Sequence, residues 1–376
     1  MAKLGDICTI NMGQSPESSS YNTIGDGLPF FQGNADFGDV HPTIRTWCSN
    51  PIKIAQKDDI LISVRAPIGA LNIANQRCCI GRGLASLTNY AKKIYRDYLW
   101  FALFSKIDEL NTKGTGSTFK AINKKILAET DIPLPSPERQ EQIVKQLSCL
   151  DTLLSRKKQQ LSKLDQLVKS RFIEMFGDEK FFQNWETDKI GNIADICVGV
   201  VIKPSQYYTL DTKTGIKAFR SLNIGEMHIK NKDWVYFTKE GHQKNSKSII
   251  KENDVLIVRS GSPGTACVAT KEYADYNAID IIIARPNCKK INPVFLAMFT
   301  NMPHGMNQIQ ENTGGAAQQH FNVGGYKNIT IILPPLSLQE QFASFVQQVD
   351  KIKSSVKQCL EKLETLKNSL MQEYFG

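Results

Sequence analysis

The chain has 376 residues, 41% of them hydrophobic and 22% charged, with a formal net charge of +9. That length is too great for one ordinary core and suits two, and no apolar run approaches the roughly 18 to 20 residues of a membrane span. The positive balance suits solubility and a polyanionic partner equally, and with no apolar leader after Met1 the expected location is the cytoplasm.

In chain order, Gly13-Gln14-Ser15-Pro16 and Gly25-Asp26-Gly27 read as loops, Leu28 to Phe31 and Ile60 to Val64 as strands, and 95–109 as a short helix. Pro133, Pro135 and Pro137 then precede a stretch without proline or glycine until Gly177, as a helix start requires. The second half repeats the order: Val255 to Val258 and Ile279 to Ile283 as strands, Gly261-Ser262-Pro263-Gly264 as a loop, and 293–301 as a short helix. Pro334 and Pro335 lead into a last helix ending at Gly376. At about 1.5 Å per residue, each long helix would span roughly 60 Å. The globular parts are α+β by this reading.

The chain is a tandem duplication. Met175-Phe176-Gly177 is matched by Tyr374-Phe375-Gly376, Leu134-Pro135 by Leu333-Pro334, and Gln140-Glu141-Gln142 by Gln339-Glu340-Gln341. Further upstream, Asp59-Ile60-Leu61-Ile62 echoes Asp254-Val255-Leu256-Ile257. A period this long means two copies of a whole module. The second helix alternates apolar residues by threes and fours at Phe342, Phe345, Val349, Ile352, Val356, Cys359, Leu363, Leu366 and Leu370. The first does so at Leu147, Leu150, Leu154, Leu161, Leu164, Val168 and Met175, interrupted by Lys157 and Arg171. Such seams predict an antiparallel coiled coil of the two helices, with the globular parts at opposite ends of a pseudo-twofold dumbbell.

Catalytic constellations are missing. The chain has no phosphate-binding G-x-x-x-x-G-K-[ST] loop and no H-E-x-x-H, and its nine cysteines form no C-x-x-C pair. The nearest string to an amino-methyltransferase motif, Asn292-Pro293-Val294-Phe295, lacks the second proline. His41, His228, His242, His304 and His320 are dispersed. No catalytic residue, metal or cofactor is expected in the chain itself.

The stretch Ile132-Pro133-Leu134-Pro135-Ser136-Pro137-Glu138-Arg139-Gln140-Glu141-Gln142-Ile143, and the helix closing on Arg171-Phe172-Ile173-Glu174-Met175-Phe176-Gly177, closely resemble the central conserved region of type I restriction-modification specificity subunits. Gly13-Gln14-Ser15-Pro16, Asp59 to Arg65 with Gly69, and Gly116 to Ile122 look like landmarks of that family's target recognition domains. The resemblance implies two such domains, 1–135 and 179–334, each reading half of a bipartite site on double-stranded DNA. It implies conserved helices over 136–178 and 335–376 that set the spacer and dock two methyltransferase subunits. Catalysis would lie in those partners, and the family leaves room for two restriction subunits. The second domain departs from the pattern at Gly199-Val200-Val201-Ile202-Lys203-Pro204-Ser205, which carries an insertion, and at Thr313 to His320.

Base edges in the major groove are read by Arg, Lys, Asn, Gln and Ser. Loop residues of those types are the candidates: Gln14, Ser15, Gln32, Asn34, Lys113, Ser117, Thr118 and Lys120 in the first domain, with Arg65, Arg77 and Arg82 for phosphates or bases, and Lys203, Arg220, Ser221, Asn223, Arg259, Gln318, Gln319 and His320 in the second. Gly114 to Thr118 also suits a backbone phosphate cradle. A coiled-coil scaffold that binds only protein is the rival reading.

Overall fold

A computed structural model of the chain describes residues 1–88, 90, 94–115, 120–178, 182–312 and 321–376. Two compact units emerge: Met1–Lys158 with Gln358–Gly376, and Gln159–Lys357.

The first unit is built on an antiparallel sheet with the order Thr9–Met12, Leu84–Thr88, Ile60–Ser63, Leu71–Ile73. Its inner strand Ile60–Ser63 opens on three apolar residues and is buried throughout because both faces are covered. Ile60 and Ile62 join the core shared with the helices, and Leu61 the core on the other side, with Phe31, Cys78 and Ile80. A five-stranded sheet supplies those last residues, with Leu28–Phe31 parallel to Cys78–Ile80. The single helix expected over 95–109 is two, Arg96–Ser105 and Ile107–Lys113. The Ser105 hydroxyl bonds back to the Ala102 carbonyl at 2.8 Å and Lys106 leaves helical geometry, the local competition that ends helices at serine.

The second unit repeats this plan. Ala194–Val198, Ile281–Pro286, Val255–Val258 and Ala266–Val268 form a sheet of the same order. Val255 and Ile257 face one core and Leu256 and Val258 the other. Four short strands make its companion sheet, where Ile216–Phe219 runs parallel to Asn277–Ala278. Helices Pro293–Asn301 and Pro303–Glu311 follow.

Two 40-residue helices, Pro137–Phe176 and Leu336–Phe375, complete the chain. Each is tied to its proline linker by a fully buried glutamine. Gln140 accepts from the Tyr95 backbone at 3.1 Å and donates to the Pro135 carbonyl at 3.0 Å; Gln339 accepts from Asn292 at 2.8 Å and donates to Pro334 at 2.8 Å. The repeated terminal phenylalanines are buried too: Phe375 packs at a tilt against Tyr98 in the first unit, and Phe176 packs with Phe295 and Phe342 in the second.

In the first unit Arg139 and Gln146 meet Tyr374, and Asp151 meets Lys367, so rising numbers in one helix face falling numbers in the other. In the second unit Asp165 meets Lys353 at 2.7 Å and Phe172 meets Phe342. The expected seam needs correction on the second helix. Ile352 and Leu366 are 47% and 48% exposed. The inward face instead follows Phe342, Val346, Val349, Lys353, Val356, Leu360, Leu363, Lys367 and Leu370. Lys353 and Lys367 lay their aliphatic stems in that face and pair their ammonium groups with aspartates of the facing helix. On the first helix Leu147, Leu150, Leu154 and Val168 are buried, and Leu161 and Leu164 half-buried.

Candidate nucleic-acid interface

Strand ends collect the first unit's polar loop residues at one edge. Thr9–Met12 leads into Gly13, whose N–H donates to the Leu84 carbonyl at 2.9 Å, and Gln14 donates to Ile80 at 3.1 Å. Glycine is required here because a Cβ at Gly13 would lie 2.2 Å from the Gly81 carbonyl oxygen. Ser15 then stands beside Gln32, which follows Leu28–Phe31: the Gln32 carboxamide donates to Ser15 Oγ at 2.9 Å, and the Arg82 N–H donates to the same oxygen at 3.2 Å. Arg65 extends from the end of Ile60–Ser63 and bridges to Ala121, while Ala66 donates to the Lys120 carbonyl at 3.1 Å. Val64 donates to the Gly83 carbonyl at 2.9 Å, which joins the Arg65 and Arg82 loops.

Gln14, Gln32, Arg65, Arg82 and Lys120 are exposed, and Ser15 and Asn34 half-buried. Among the described residues, none of Arg65, Arg82 and Lys120 has an ion-pair partner. Three unpaired cations and two carboxamides on one edge can hold phosphates and offer hydrogen bonds to base edges.

Two first-domain candidates remain. Arg77 precedes the strand Cys78–Ile80 and Arg82 follows it, so the strand separates them. Lys113 is paired with Glu109 at 2.6 Å, a partner that raises the lysine's pKa and lowers the glutamate's. Ser117 and Thr118 lie outside the described residues, as do Gln318, Gln319 and His320.

The second unit has the same edge with different chemistry. Gly199 donates to Ile281 at 2.9 Å and Val200 to Ala278 at 2.8 Å, so Gly199 and Val200 take the places of Gly13 and Gln14. Ile279 donates to the Phe219 carbonyl as Gly81 does to Phe31, which places Arg220 where Gln32 stands. Arg259 does not correspond to Arg65. Val258 and Ser63 make equivalent bonds across their sheets, and Phe321 donates to the Arg259 carbonyl as Ile122 does to Val64. Arg259 therefore occupies the place of the buried Val64, and its side chain turns inward to Asp280 at 2.7 Å and to the Phe321 carbonyl at 3.1 Å.

Asn223 also needs correction, being fully buried. Its carboxamide accepts from the Arg220 backbone at 2.9 Å and donates to the Lys232 carbonyl at 2.7 Å, so both ends are used inside the fold. Asp36 does the equivalent work in the first unit, accepting from Gln32 N at 2.7 Å. Arg220 donates Nη2 to the Asp233 carbonyl at 2.6 Å, Ser221 is half-buried, and Lys203 is exposed in left-handed backbone. Sequence reasoning passed over the side chains that do protrude here, Val201, Ile202 and Leu222, because it sought polar readers.

Among the described residues no group of three or more His, Cys, Asp or Glu could hold a metal ion, and no helix is long and apolar enough to cross a membrane.

The family model described as the type I restriction modification DNA specificity domain matches residues 1–166 and again 183–365. The MjaIX type I restriction enzyme specificity subunit of Methanocaldococcus jannaschii is 24% identical over 401 residues, covering 98% of this chain and 90% of that protein. Another protein of that organism is 42% identical over 160 residues, a match that spans 43% of this chain and only 38% of the relative. The crystal structure of a type I restriction-modification S subunit from M. genitalium covers 100% of this chain and 95% of its own, at 16% identity and a TM-score of 0.57, a likeness of fold.

Proposed function

The chain belongs to the type I restriction modification DNA specificity family, and from that premise we propose that it is the DNA-reading, non-catalytic subunit of a modification complex. Residues 1–135 and 179–334 each read one half of a bipartite double-stranded target. The two long helices act together as an antiparallel coiled coil that sets the spacer between half-sites and docks two methyltransferase subunits. The assembly works on DNA in the cytoplasm, and the family leaves room in it for two restriction subunits.

The observation that carries this reading is the edge formed by Ser15, Gln32, Arg65, Arg82 and Lys120, repeated in position but not in chemistry by the second unit. A duplicated scaffold with divergent loop edges suits a reader of two different half-sites. Exposed, unpaired cations supply the sequence-independent grip on phosphates, and the carboxamides supply base contacts.

The test is methyl transfer. Purified chain should neither methylate nor cut DNA, and adding methyltransferase subunits should produce adenine methylation at one bipartite sequence. Methylation by the rigorously purified chain alone would overturn the division of labour. A chain that shifts no DNA, with or without those subunits, would favour a protein-binding scaffold instead.

A further inference from the structure

We propose that the second recognition domain reads A·T pairs by apolar contact with the thymine methyl group, through Ile202, Val201 and Leu222. The inference rests on the DNA-reading assignment above and adds the chemistry by which this half discriminates.

Backbone bonds place these residues on the reading edge. Val201 and Ile202 follow Val200, which takes the position of Gln14. Leu222 lies in the turn Ser221–Asn223, matching Ala35 in the turn Asn34–Asp36. Where the first domain presents Gln14, Ser15, Gln32 and Ala35, the second exposes Ile202 by 79%, Leu222 by 61% and Val201 by 44%. Large apolar side chains left open together on one loop edge are the pattern of a contact surface, whereas apolar residues exposed singly are ordinary.

The occupant follows from what else that edge holds. Guanine is read by a bidentate Arg or Lys, yet Arg259 is paired with Asp280 and Arg220 is turned to the Asp233 carbonyl. Thymine alone among the four bases offers a methyl group in the major groove. An apolar side chain gains by covering that methyl, whereas against a G·C pair it would strip water from donors and acceptors without replacing their hydrogen bonds. Lys203 stands beside Ile202 to hold the neighbouring phosphate.

The experiment uses the full chain with its methyltransferase subunits and the target found by methylome sequencing. Duplexes carrying uracil, which lacks the methyl, in place of each thymine are compared in competition binding. Loss of each contacted methyl in the second half-site should weaken binding about fourfold. Ile202→Asn and Leu222→Asn, both at exposed positions, should abolish the distinction between thymine and uracil while selection of the first half-site persists. The proposal is overturned by a complex that selects its target yet binds thymine and uracil duplexes equally, as a surface meant for a protein would. A second half-site made only of G·C pairs overturns it too, as do variants that keep the discrimination. A complex that selects no sequence would fail the DNA-reading assignment itself, and this inference with it.

Discussion

Arg65 and Lys120 present unpaired cations at the first domain's edge, while Gln32 presents a carboxamide held by Ser15. These groups should fail differently. Arg65→Ala or Lys120→Ala should weaken binding to all sequences alike and lower the salt slope by about one, the signature of a lost phosphate contact. Gln32→Ala should cost about 1 to 3 kcal/mol at one base pair and relax preference there. Binding isotherms at several salt concentrations, on the target and on single-base variants, separate the two; a Gln32 variant that loses affinity uniformly would make it a phosphate contact. Residue type and loop placement made this edge legible in the sequence. The second domain's edge was not, for a specific reason. Its Asp254-Val255-Leu256-Ile257-Val258-Arg259 run is one residue shorter than Asp59 to Arg65, so an arginine that looks like a match falls on the position of the buried Val64. Asn223 misled in another way, since a loop asparagine suited to adenine serves equally as a backbone cap.

At the scale of elements, the strands and long helices were readable because their signals are local: apolar runs between turn residues, and proline followed by a stretch free of proline and glycine. The seam of the second helix was half readable. Val349, Val356, Leu363 and Leu370 belong to both the expected and the observed pattern, but the alternate positions shift by one, from Ile352 to Lys353 and from Leu366 to Lys367. A hydrophobicity count rejects lysine, whereas a packed helix accepts its methylene stem when an aspartate receives the head group. The two registers predict opposite sensitivities. Val349→Asn should cost about 2 to 4 kcal/mol, by lost burial and an unsatisfied amide, and Ile352→Asn should cost less than about 0.5 kcal/mol, as at an exposed surface position. Lys353→Met should stay within about 1 kcal/mol, since it keeps the stem and loses only a partly exposed ion pair. Thermal unfolding of the three variants decides the register; a large loss at Ile352 would restore the original seam.

For the whole molecule, the duplication was legible because the helices repeat without gaps, whereas the recognition domains have drifted by insertions and one-residue losses. If the helices set the spacer, inserting four residues after Ser155 should lengthen the first by about 6 Å. DNA advances about 3.4 Å per base pair along each strand, so the spacer should grow by one or two base pairs with both half-sites unchanged. A folded, active insertion variant that keeps the original spacer would reduce the helices to a tether. Methylome sequencing of a chimera shows whether the two domains read their half-sites independently. Residues 1–135 are replaced by the equivalent domain of a relative with a different target, and the chimera is expressed with its methyltransferase subunits. One half-site should change to that of the donor while the other, and the spacer, stay as they were. A chimera that folds and methylates but changes both halves, or neither, would show that the two domains do not read independently.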